Sequence, residues 1–141
     1  MKIMISACLA DVNCKYNGGN NSSEKLMKFL EGNEVIKVCP EVMGGLPIPR
    51  APGEIVDGVV RNEDGTSVDC EYRRGAQLAY ELALKEKPDL VVLQSRSPSC
   101  GVNEIYDGTF SHVKIKGRGV FAQMMIDAGF KVIDIEDFQG K

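Results

Sequence analysis

Residues 2–9 read KIMISACL, one basic residue followed by an almost unbroken apolar run rich in isoleucine. A short apolar run of this kind, closed by turn-forming residues, is the pattern of a strand buried on both faces, as in the parallel sheet of an α/β domain. Residues 11–21 follow with Asn13, Asn17, Gly18, Gly19, Asn20 and Asn21, a loop by composition. Asn21 with Glu24 three residues on reads as a capping box. Leu26, Phe29 and Leu30 supply the stripe of a helix that Gly32 ends. A second buried strand is expected over 35–39, stopped by Pro40.

The rest of the chain continues the alternation. Residues 40–53 carry four prolines and three glycines, including Gly44 and Gly45, and predict a long loop of the kind that is usually functional or disordered. Residues 54–60 and 66–68 flank Asn62-Glu63-Asp64-Gly65 and predict a small hairpin. From Asp69 as N-cap, Tyr72, Ala76, Ala79, Tyr80 and Ala83 form one face of a helix ended by Pro88. Residues 90–93 read as a central strand and 95–111 as a loop. A last helix through Phe121, Met124, Met125 and Ala128 stops at Gly129, and 131–135 is the last strand. Strands alternating with helices imply a parallel sheet covered on both faces, hence one doubly wound α/β domain. No internal repeat, low-complexity segment or linker divides residues 1–141.

Composition narrows the function. The 141 residues suit one domain, and 43% apolar with 26% charged residues is ordinary soluble usage. A net charge of −3 argues against a long nucleic acid as partner, since such binders need a basic excess on one face. No apolar stretch approaches the ~20 residues of a membrane span. Ile5-Ser6-Ala7-Cys8 resembles a lipoprotein cleavage box, but only four residues precede it, too few for the apolar region of a signal. The expected location is therefore cytoplasmic, with the five cysteines held as reduced thiols.

Ligands of open parallel sheets bind beyond the carboxyl ends of the strands. Cys8 ends the first strand, Cys39 the second, and Cys100 lies in the loop leaving the third. With strand order 2-1-3 the outer two strands are ~10 Å apart. That is too far for a disulfide but within reach of a metal cluster. Iron–sulfur clusters take thiolates throughout, and a [4Fe–4S] cube held by three leaves one Lewis-acidic iron exposed. Zinc on Cys8, Cys14, Cys39 and Cys100 in a non-catalytic module is a second possibility. A cysteine-nucleophile hydrolase or transferase is a third, with only His112 as a base. Cys70 is assigned to packing. Glu41, two residues beyond Cys39, is the best candidate for proton transfer. The Ser97 and Ser99 hydroxyls suit orienting a substrate, Arg50 suits holding an anionic or carbonyl group, and Gly44 and Gly45 suit a close backbone approach to a ligand.

These residues occur in a familiar order. Ser6-Ala7-Cys8-Leu9, Lys15-Tyr16-Asn17-Gly18, Cys39-Pro40-Glu41 with Gly44-Gly45-Leu46-Pro47 and Pro49-Arg50, Ser97-Pro98-Ser99-Cys100-Gly101, and Tyr106-Asp107-Gly108 together resemble the short, stand-alone form of the thiouracil desulfidase family. The resemblance implies a Rossmann-like three-layer αβα domain with a mainly parallel four-stranded sheet and a small hairpin insertion. It implies a [4Fe–4S] cluster on Cys8, Cys39 and Cys100, with the fourth iron free for substrate sulfur. Glu41 would be the catalytic acidic residue, and the active-site serine would lie in Ser97–Ser99. The activity implied is non-redox removal of sulfur from a small thiolated pyrimidine, such as 2- or 4-thiouracil, with release of hydrogen sulfide. Ala10, Asn17 and Gln94 depart from the family pattern, where Gly, Asp and Lys are usual.

Overall fold

The computed structural model describes residues 1–139. Along the chain run β1 (Lys2–Ser6), α1 (Glu24–Leu30), β2 (Glu34–Val38), α2 (Pro40–Met43), β3 (Gly53–Val56) and β4 (Val59–Asn62). They are followed by α3 (Asp69–Glu86), β5 (Leu90–Leu93), β6 (Glu104–Tyr106), β7 (Lys114–Lys116), α4 (Val120–Asp127) and β8 (Val132–Asp134). Four strands form a parallel sheet in the order β2-β1-β5-β8, while β3–β4 and β6–β7 are separate antiparallel pairs.

Side chains alternate across a strand, and that alternation splits the core into two layers. Met4, Val91 and Leu93 pack on one face against Ala76, Ala79 and Ala83 of α3 and Phe121, Ala122 and Met125 of α4. Ile3, Ile5, Leu90 and Val92 pack on the other against Leu26 and Leu30 of α1 and against Phe138. The α/β fold class with a four-stranded parallel sheet is thus as expected. Each fully buried large apolar side chain contributes roughly 1.5–3 kcal/mol by leaving water. No helix among the described residues is long and apolar enough to cross a membrane.

Local details differ from the sequence reading. Strand β1 stops at Ser6, and Ala7–Ala10 tighten into a 3-10 turn that carries Cys8. Ser23, not Asn21, caps α1, its side chain accepting from the Leu26 N–H. The β3–β4 turn is at Asp57-Gly58, and the expected turn at 62–65 follows it, where Arg61 bridges Ser67 and the Asn62 and Val68 N–H groups donate to the Thr66 and Val60 carbonyls. Val68 is the N-cap of α3; the Asp69 carboxylate instead accepts from the Val60 N–H at 3.0 Å, tying the hairpin to the helix. The expected loop over 40–53 contains α2, and the stretch read as loop over 95–111 contains β6, paired with β7.

The register positions the site. Ser6 lies opposite Val38, and Ile5 opposite Val92, so β1, β2 and β5 end side by side. The Ser6 hydroxyl accepts the Gln94 N–H at 2.9 Å and locks that edge.

Candidate active site

Beyond this edge is a cavity of about 470 Å³. Cys8, Cys39, Cys100 and Glu41 all line it, together with Cys14, Ser97 and Arg50. The long separations in sequence are closed by the sheet, which brings three strand ends together.

The Cys39–Glu41 segment is shaped by α2. Cys39 is its N-cap and Pro40 its first residue, where a proline's missing N–H is harmless. This short helix lies against α3 at glycine contacts. A Cβ on Gly75 would be driven into the Pro40 carbonyl, and one on Gly44 into the Glu71 carbonyl. Gly44 and Gly45 are accordingly not part of the cavity wall: Gly44 lets α2 approach α3, and Gly45 takes a positive φ of 96° just beyond the helix. The expectation that they approach a ligand is corrected on that ground.

Glu41 is 8% exposed and well held. Its Oε1 accepts from Ser99 Oγ at 2.5 Å and lies 3.3 Å from Ser97 Oγ. Its Oε2 is 3.5 Å from the Cys39 sulfur. Ser97 Oγ also accepts the Ser99 and Cys100 N–H groups, both at 3.1 Å, which folds the turn that presents Cys100. The start of α4 fixes this turn from behind, through Val120 N–H to Pro98 carbonyl at 2.7 Å and Ala122 N–H to Ser99 carbonyl at 2.9 Å. The two serines therefore differ: Ser97 faces the cavity, whereas Ser99 is fully buried outside its wall.

Arg50 holds the first loop. Its Nη2 donates to the Cys14 carbonyl at 2.9 Å, its Nη1 to the Pro47 carbonyl at 3.2 Å, and its backbone N–H to the Tyr16 carbonyl at 2.6 Å. Those bonds to chain carbonyls make it a clamp, on a side chain that also lines the cavity. Cys14 packs with Cys8, Ala7 and Cys39 in a small buried cluster. Cys70 is exposed on α3, so its assignment to packing is also corrected.

The surroundings of Cys14, Cys39 and Cys100 favour the protonated thiol over the thiolate. A hydrogen bond with Cys14, then burial, then the Glu41 charge push the Cys39 thiol far up. Burial, then Glu41, does the same to Cys100. For Cys14 the Cys39 contact pulls downward, but the Cys8 contact and burial outweigh it and leave the thiol at about 11. Thiols of this kind are poor free nucleophiles, and only a strong positive charge at the site makes them thiolates. Among the described residues no three His, Cys, Asp or Glu side chains converge tightly enough for a single metal ion. Three thiols spread round one cavity, with sulfur as the donor, suit a multi-iron cluster better than a mononuclear zinc.

The model of the 2-thiouracil desulfurase family matches residues 3–137. The chain belongs to the 2-thiouracil desulfurase family. As a desulfurase-family chain it is an enzyme. It is 37% identical to an uncharacterised Bacillus subtilis protein, YbbK, over 93% of each chain. Its fold is similar to that of the [4Fe-4S]-dependent thiouracil desulfidase TudS, with a TM-score of 0.90, 36% identity, and coverage of 97% of this chain and 92% of that one.

Sequence reasoning missed the outer half of the desulfurase cavity. Tyr106 at the end of β6 and Phe110 and His112 of the β6–β7 loop line it, as do Glu54 on β3 and Tyr72 on α3. Tyr106-Asp107-Gly108 was the one signal for that loop; Glu54 and Tyr72 had none, because their approach depends on tertiary packing.

Proposed function

We propose that residues 1–141 act as one cytoplasmic desulfidase domain that carries a [4Fe–4S] cluster on Cys8, Cys39 and Cys100. Its substrate is a small thiolated pyrimidine such as 2- or 4-thiouracil. The net reaction exchanges sulfur for oxygen: thiouracil and water give uracil and hydrogen sulfide, with no change in oxidation state. The observation that carries this reading is the convergence of three all-sulfur donors and one buried, serine-held carboxylate on a single cavity, in a chain of this family.

When bound, such a cluster supplies a Lewis-acidic iron for the thione sulfur, which leaves the adjacent carbon electron-poor. The chain does the rest. Glu41 takes a proton from the attacking water at a carboxylate oxygen and returns it to the departing sulfur. Ser99 fixes that carboxylate from behind, and Ser97 offers its hydroxyl at the cavity face. Arg50 keeps the Cys14 segment closed over the site. A nucleophilic role for the Cys39 or Cys100 thiol is disfavoured by the upward push on both, and His112 packs its ring edge-on against Tyr106 at 6.3 Å.

The test is sulfide and uracil formation from thiouracil by anaerobically reconstituted protein. Equimolar sulfide and uracil are expected. An intact cluster, verified by iron and acid-labile sulfide, with no sulfide release would refute the assignment.

A further inference from the structure

Glu54 plays no part in the chemistry above, yet it is a charged side chain that the fold buries. It is 9% exposed and lines the same cavity as Cys39 and Glu41. It follows Gly53, where a Cβ would stand 3.2 Å from the Tyr72 hydroxyl. Tyr72 in turn lies within the field of the Glu41 charge. Glu54 therefore belongs to the cavity wall on the Tyr72 side.

Its two oxygens have different surroundings. Oε1 accepts the Gly108 N–H at 3.0 Å and the Phe110 N–H at 3.2 Å, which seats the β6–β7 loop on β3. Gly108 permits this close approach, with φ of 93° and the Ile55 carbonyl 2.7 Å from any Cβ. No donor among the described residues reaches Oε2. Nor is that oxygen sealed off, because no buried side-chain N or O among the described residues lacks a partner. Oε2 is therefore not fully buried, on a residue that lines the cavity. An acceptor-only oxygen in such a place calls for a donor brought by the ligand.

We infer that Glu54 recognises the substrate: Oε2 accepts a ring N–H of the thiolated pyrimidine, while Oε1 holds Phe110 and its loop as the wall beside the ring. The inference rests on the desulfidase reading and adds a specificity element to it. A carboxylate accepts and does not donate, so it selects a ring nitrogen that carries hydrogen and rejects one that carries methyl.

Glu54→Gln separates the two roles. The glutamine carbonyl still accepts both loop N–H groups, whereas an NH₂ donor replaces Oε2 and opposes the ring N–H. The KM for 4-thiouracil is expected to rise roughly ten- to hundredfold, the worth of a hydrogen bond to a charged group, with kcat within about threefold. Cluster absorbance and melting temperature should stay at wild-type values. Wild-type protein should prefer 4-thiouracil to its 1-methyl or its 3-methyl derivative by more than about tenfold, and the variant should lose that preference. Unchanged KM and unchanged preference in Glu54→Gln would overturn the inference, as would a loss confined to kcat. If the variant does not fold, the wild type still decides: equal use of thiouracil and both methyl derivatives overturns it. If the loaded wild type releases no sulfide from any of them, the desulfidase reading has failed and this inference falls with it.

Discussion

Replacing Ser99 by alanine removes one hydroxyl outside the cavity wall that holds Glu41. That hydroxyl also meets Ser97 Oγ at 3.0 Å and the Cys100 sulfur at 3.7 Å, so iron content must be read beside the rate. Ser99 is 0% exposed, and its Oγ is 2.5 Å from Glu41 Oε1. A hydrogen bond to a charged group is worth about 1.5–3 kcal/mol, and each ~1.36 kcal/mol is tenfold in rate. The loss in kcat therefore lies between about ten- and hundredfold. The lower part of that range is expected, because Ser97 Oγ remains 3.3 Å from the same oxygen. KM should be unchanged, since Ser99 is outside the cavity wall. The assay is steady-state sulfide release from thiouracil under anaerobic conditions, normalised to iron content. A Ser99→Ala protein with full iron and wild-type kcat would refute the role given to the Ser99–Glu41 bond. A rise in KM with kcat intact would show that this serine acts on substrate instead.

Two other perturbations test the supports of the site. Gly75→Ala normally favours a helix by up to ~1 kcal/mol, but here the methyl meets the Pro40 carbonyl. Overpacking of this kind costs about 1–3 kcal/mol, so the melting temperature should fall and the cluster should load poorly; a stabilised, fully loaded variant would contradict the α2–α3 contact. Asp134 is 1% exposed, and burial, the largest cause, holds its pKa above the ordinary 3.8. The folded state therefore binds its proton more tightly than the unfolded chain, so this residue's stabilising effect is present below 3.8 and is lost as pH rises from there through the folded pKa. Asp134→Asn should flatten that part of the stability–pH curve and raise stability at neutral pH, as read by urea denaturation across pH; an unchanged slope would contradict it.

The central sheet was legible because its signals are local and redundant. Residues 2–9 and 90–93 are apolar at every core position, and the small residues of α3 recur at helical spacing. The three cysteines could be grouped because strand ends at one sheet edge are predictable neighbours. What stayed hidden depends on contacts far apart in sequence. The short helix α2 has only four residues and begins with proline, so its existence rests on Gly44 and Gly75 meeting across the α2–α3 contact. Strand β6 needs β7 to exist, and neither has an apolar pattern that stands out. Arg50 reads as a ligand-binding cation, and nothing local in sequence shows that its guanidinium also holds the Cys14 and Pro47 carbonyls. Glu54 looks like a solvated strand residue until the β6–β7 loop folds onto it.

Iron and acid-labile sulfide per chain, measured on anaerobically purified cysteine variants, test the cluster assignment most directly. Cys8→Ser, Cys39→Ser and Cys100→Ser should each lose the cluster and its visible absorbance, because a hydroxyl replaces a thiolate ligand poorly. Cys14→Ser, despite its burial beside Cys8, and Cys70→Ser, exposed on α3, should keep both. A Cys100→Ser protein with wild-type iron and sulfide, beside a bleached Cys14→Ser or Cys70→Ser, would contradict the ligand set and the account built on it.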